Sequence, residues 1–239
     1  MNALLESILD AHGGLQRWKE AQTIHAEGSI GGMLWSLRGQ EGILATADAT
    51  VDVQEQRLVF DGFTGPGLRG LYTPDRVAIE RRDGDVVVER RAPRAAFEGQ
   101  GPETPWDELH ALYFAGYAVW NYLTTPYLLT RPGVVVEEVE PWLEADEDWR
   151  RLRVTFPQTL TTHATEQVFY YNAAGLLRRH DYAADVLGST PAAHFSEQHV
   201  RASGLVFPTH RFVVPIEEDG HAAPEPVLIT IDWADISVA

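Results

Sequence analysis

The chain has 239 residues, 44% of them hydrophobic, with 35 acidic against 19 basic side chains and a net charge of −16. This suits one large all-β or α+β domain, and a field so negative repels both a phosphate backbone and an anionic membrane surface. With no cysteine, disulfide scaffolds, zinc–thiolate sites, iron–sulfur clusters and thiol nucleophiles are excluded.

At the N-terminus Leu4, Leu5, Ile8 and Leu9 recur at helical spacing, and His12-Gly13-Gly14 stops the helix. The segment carries two acids, with no basic n-region and no long apolar run. It reads as an amphipathic helix and not as a signal peptide, which makes the cytoplasm the expected location. No stretch reaches the roughly 18 apolar residues of a membrane span, so no stable membrane insertion is expected. LQRWKEAQ adds a short helical turn.

From Thr23 to Phe63 the pattern is β, and MLWSLRGQEG reads as an alternating strand carrying Arg38. TGPGLRG reads as an irregular loop. RVAIERR and VVVERRAP flank Asp83-Gly84-Asp85, a strong hairpin signal. The spacing then predicts a helix over Pro105–Leu128, with Thr104 as N-cap, Pro105 in the first position and Pro126 at its end. Apolar residues occupy most of its circumference, so it is expected to be buried on more than one side.

GVVVEEVEPWLEA, an acidic turn and WRRLRVTFP continue the β pattern. Four histidine-bearing segments follow: THATEQVFYY, GLLRRHDYAA, PAAHFSEQHV and GLVFPTHRFVVPI. NAAG, LGST and RASG separate them. This regular spacing marks a meandering antiparallel sheet. VLITIDWADISV is the last strand, and no repeat or linker divides the chain. The fold expected over residues 1–239 is a single α+β, mainly β domain: a curved antiparallel half-barrel of about ten strands, wrapped around the apolar helix, with an N-terminal helix. A gap between sheet and helix would form an apolar pocket.

The phrases ALLESILDAHGGLQRW, TIHAEGSI, GLLRRHDY and GLVFPTHR resemble the lipoprotein-carrier (LolA/LolB-like) superfamily. The resemblance implies an unclosed β-barrel with helices packed in its mouth, and carriage of acylated cargo. The same architecture is similar to that of a cofactor-free enzyme of bacterial violacein biosynthesis, so the fold alone decides neither carriage nor catalysis.

Closing the NAAG hairpin with Tyr171 facing Leu176 sets Gln167 opposite His180. Closing LGST with Leu187 facing Ala192 sets His180 opposite His199 and Tyr182 opposite Glu197. One face would then carry His163, Gln167, His180, Tyr182, Glu197 and His199, although a one-residue slip would send part of the set to solvent. Read as chemistry, His163, His180, Tyr182, Glu197 and His199 are a candidate catalytic acid–base set, and Gln167 a polar ligand contact. Read as structure, they are solvent-face polar residues or satisfied core histidines. Trp106, Tyr113, Tyr117 and Trp120 share a helix face and would line the cavity wherever the sheet leaves them uncovered. Arg38 would anchor a ligand if it points inward; exposure is the alternative.

No H-x-H or HExxH occurs, and His194 and His199 stand five apart, so no metal and no cofactor are expected. Three functions remain: binding of a hydrophobic small molecule or acyl chain in the cavity, a cofactor-independent cyclase, isomerase or hydrolase of secondary metabolism, or a structural module that pairs its open sheet edges with another chain. Unpaired sheet edges would allow an oligomer.

Overall fold

Thirteen strands form one antiparallel sheet in the computed structural model, which describes residues 2–144 and 146–239. The first wing is β1 (Thr23–Gly31), β2 (Ala47–Asp52), β3 (Arg57–Asp61), β4 (Leu68–Thr73), β5 (Arg76–Arg81) and β6 (Val86–Arg91). The second is β7 (Val135–Glu144), β8 (Glu147–Thr155), β9 (Glu166–Tyr171), β10 (Leu177–Ala183), β11 (Pro191–Ala202), β12 (Leu205–Pro215) and β13 (Ile229–Val238). Each wing is a meander, and β1 pairs with β13 where the wings meet. The outermost strands, β6 and β7, do not pair with each other, so the sheet is unclosed. The half-barrel expectation stands. It has more strands than expected because TVDVQEQRLVFDGF is a hairpin and because Leu68–Gly70, read as loop, belongs to β4.

Helix α1 (Ala3–Ala11) buries Leu4, Leu5, Ile8 and Leu9, and Asn2 caps it by accepting from the Leu4 and Leu5 amides. A single turn, α2 (Leu15–Glu20), follows. The MLWSL segment is not a strand. It forms α3 (Met33–Leu37), burying Leu34 and Trp35, with the Met33 and Leu34 amides bonded to Val227 O and Leu228 O. Gly32 makes this possible: its φ is 107°, and a Cβ there would lie 2.5 Å from Leu228 O.

The central helix α4 (Glu108–Thr124) lies across the concave face and is buried along nearly its whole length. It starts later than Pro105. Asp107 is the N-cap, accepting from the His110 amide at 2.9 Å in a capping box, while Trp106 stays extended with its amide bonded to Arg38 O. An aspartate followed by a partner at the third helical position outcompetes Thr104, whose hydroxyl is bonded to the Gly101 amide. Pro126 closes the far end as expected, because it has no N–H to continue the ladder. Gly116 lets α4 meet β4: a Cβ there would stand 2.5 Å from the Tyr72 side chain. Among the described residues no helix is long and apolar enough to cross a membrane.

Candidate functional site

Four of the residues expected on one face do converge, against α4 and beneath β9 to β12. His163 sits in the loop before β9, not in a strand. Its Nε2 lies 2.6 Å from the Tyr122 hydroxyl and its Nδ1 3.1 Å from the Tyr117 hydroxyl. A neutral imidazole has one N–H, so one tyrosine donates and the other accepts. The Tyr122 and Tyr182 hydroxyls are 3.2 Å apart. Gln167 donates its amide N–H to Ala164 O at 2.8 Å, which turns its carbonyl towards His180 Nε2, 2.6 Å away. His180 therefore carries its proton on Nε2, and its ring stacks on Phe169.

Glu197 and His199 do not join them. The observed register places His180 opposite His194 and Tyr182 opposite Ala192. It differs from the expected one because Asp185–Leu187 coils into a 3-10 turn and is lost to the strand. Glu197 instead pairs with His210 on β12. His199 follows Gln198, whose φ is 53°, and lies half-buried towards His12. In the first hairpin a bulge between Leu177 and Arg179 sets His180 opposite Phe169 rather than Gln167, which reaches His180 diagonally.

Two further members of the cluster lie outside the set expected on one face. His194, 0% exposed, packs its ring against Tyr122 at 4.4 Å, and neither of its nitrogens has a hydrogen-bond partner among the described residues. Arg211, 2% exposed, donates to Ser196 Oγ at 3.0 Å and to Tyr122 O at 3.2 Å, with its guanidinium 5.2 Å from the Tyr122 ring centre. The signal for it in HRFVVPI is phase: Arg211 alternates with Val213 on the buried face.

Burial dominates the electrostatics. It lowers His163 to about 3, with the Arg94 charge adding to the effect, and holds His180 and His194 well below the usual histidine range. It raises Tyr117, Tyr122 and Tyr182 above the ordinary tyrosine value. Burial also lowers Arg211, to about 10, which leaves it charged at neutral pH. The cluster is thus a set of neutral imidazoles and phenols around one cation.

The other expected ligand contacts hold the fold together. Arg38 is buried at the end of α3, donates to Gly101 O and Thr104 O, and lies over the Trp106 ring. Trp106 donates to Gln100. Trp120 donates to Asp52 O and Glu55 O, pinning α4 to the β2–β3 turn. Tyr113 packs against Tyr72, Phe97 and Tyr117. Open space lies beside the cluster: a cavity of about 190 Å³ lined by Leu34, Phe114, Tyr182, Ala192, Val213 and Ile229, among other mostly apolar residues. Tyr182 belongs to both cluster and cavity.

On the outer face, His25, Glu27 and Asp48 bring one ligand atom each within 4.8 Å of one another, but His25 Nε2 is already bonded to Asp48 at 2.8 Å.

No protein-family model matches the chain, and no curated protein matches it by sequence. Among solved structures it is similar to a LolA superfamily protein from Nitrosomonas europaea, at 10% identity and a TM-score of 0.54 over 98% of this chain and 92% of that one. A DUF1329 family protein from Desulfovibrio piger is similar at 13% identity and a TM-score of 0.52, over 99% and 92%. So is a Vibrio parahaemolyticus domain assigned to outer-membrane lipoprotein sorting, at 9% identity and 0.52, over 93% and 89%. The chain has the LolA-like unclosed-barrel fold.

Proposed function

We propose, from a LolA-like fold with an apolar cavity on its concave side, that the protein binds a hydrophobic small molecule or acyl chain between the sheet and α4. The cavity carries this reading. Its walls are almost entirely hydrocarbon and aromatic carbon, and about 190 Å³ exceeds the roughly 150 Å³ of an engineered apolar cavity that takes up benzene. The fold is shared with a domain assigned to lipoprotein sorting, and lipoproteins carry acyl chains. A cofactor-independent enzyme has less support: both nitrogens of His163 are engaged, burial weakens the histidines as bases, and Glu197 lies elsewhere.

Native mass spectrometry and a solvatochromic dye test the reading together. A bound organic mass, or a blue-shifted dye signal lost in Ala192→Trp but not in an Ala173→Trp control, is the expected result. Neither a bound mass nor dye uptake in the wild-type protein would overturn it.

A further inference from the structure

Two arginines on neighbouring parts of the sheet are buried to the same degree and treated in opposite ways. Arg179, 0% exposed, lies on the outer side and is fully compensated: Asp181 accepts from it at 2.6 and 2.9 Å, Glu144 at 3.1 Å and Gly220 O at 2.7 Å. Arg211, on the inner side, has two neutral acceptors, no carboxylate partner among the described residues, and an unbonded Nε. One of its bonds has a structural cause. Tyr122 O would normally accept from the amide four residues on, but that residue is Pro126, so Arg211 fills the vacancy near the negative end of α4. This accounts for one N–H of five, and not for a whole buried charge.

Beside the cation stands His194, buried, with both ring nitrogens unbonded among the described residues. Tyr122 gathers these groups, with Arg211 over its ring, the His194 ring perpendicular to its own and Tyr182 at its hydroxyl. The apolar cavity opens beside them. Val213 and Ala192 line it, and Arg211 and His194 are the next inward residues along the same two strands, about 6–7 Å further in at a rise of about 3.3 Å per residue. A molecule filling the cavity would bring its inner end to a buried cation that has no carboxylate partner among the described residues.

We propose that the ligand is an anionic amphiphile, with an acidic group of carboxylate size seated among Arg211, His194 and the Tyr122–Tyr182 hydroxyls and an apolar body filling the cavity towards its mouth. This rests on the apolar-ligand reading of the same cavity and adds the polarity and orientation of what it holds. A carboxylate supplies the paired acceptors that a guanidinium fork matches, and neutral His194 and the tyrosines can donate to its remaining lone pairs.

Octanoate and 1-octanol, titrated calorimetrically near neutral pH, separate recognition of the acid from apolar binding. The acid is expected to bind at least about tenfold more tightly than the alcohol, the scale of one charge-assisted bond. In Arg211→Met that preference should vanish while 1-octanol affinity is retained. Equal affinities in the wild-type protein would overturn the acid-group assignment and leave apolar binding intact. Binding of neither probe would remove both. A preference that survives in Arg211→Met would overturn the placement of the acid. Should Arg211→Met not fold, carbon-13 NMR of carboxyl-labelled octanoate on the wild-type protein decides: the bound carboxyl should stay ionised below the pH at which free octanoate protonates, and titration at the free value or above overturns the proposal.

Discussion

The imidazole of His163 lies flat on the ring of Tyr182, with centroids 3.9 Å apart and planes within 2° of parallel. The contact joins a loop to β10 in the dry interior, and the Tyr117 and Tyr122 hydroxyls close on the edges of the same imidazole. Removing one hydroxyl leaves a buried nitrogen without a partner, which costs about 1–3 kcal/mol. Tyr122→Phe should therefore lower unfolding stability by that amount in urea, with secondary structure unchanged at zero denaturant.

Acid should weaken the protein well before its carboxylates titrate. Burial lowers His163 to about 3 and His12 to about 4 from an ordinary 6.5, and His180 and His194 follow in the same direction. These imidazoles stay neutral in the folded chain, whereas the unfolded chain binds protons below pH 6.5. Stability is thus full above that pH and declines as pH falls from 6.5 towards 3–4, by about 1.4 kcal/mol per pH unit for each such histidine. Urea midpoints at about pH 7 and about pH 5 check this. A flat profile would contradict the burial of these rings as neutral groups, and His163→Phe should reduce the slope by one histidine's share.

Asp181→Ala tests the compensated arginine. It strips Arg179 of its two shortest carboxylate contacts while the guanidinium stays buried. A loss of about 3–5 kcal/mol is expected, seen as a large fall in melting temperature. The double variant Asp181→Ala/Arg179→Met should recover part of it, since the buried cation is then gone and Glu144, which loses its partner, still reaches solvent.

Gly116→Ala should loosen the contact between α4 and β4. Its new methyl would stand 2.5 Å from two carbons of Tyr72, which is fully buried and has little room to retreat. Overpacking of this kind costs about 1–3 kcal/mol, despite the better helix propensity of alanine. A thermal melt equal to or above that of the wild type would show that the interface yields more easily than its geometry implies.

The wings of the sheet, the α1 core positions and the burial of α4 were legible because each is written locally, in alternation, Asp-Gly turns and apolar periodicity. Register was not. Asp185–Leu187 alternates like a strand and still coils, and nothing within a few residues distinguishes the two outcomes. That one turn exchanged His199 for His194 as the neighbour of His180. Similarly, Met33–Leu37 alternates, and its helix is imposed by backbone bonds from a segment some 190 residues away. Arg211 was hidden by its neighbour: His210, the conspicuous residue, faces outward to Asp232, and the arginine beside it occupies a position in phase with the core.

The seam between β1 and β13 bears on how the chain reaches this fold. Every other pair of neighbouring strands is consecutive in sequence, so each wing can assemble from short-range hairpins. Pairing Ile24 with Val238 instead requires the chain to close on itself almost end to end. Folding kinetics should thus split into fast growth of two meanders and a slow zipping step set by loop-closure entropy. Until that step is complete, each half presents a bare central strand to solvent, and intermolecular pairing there competes directly with the intramolecular closure.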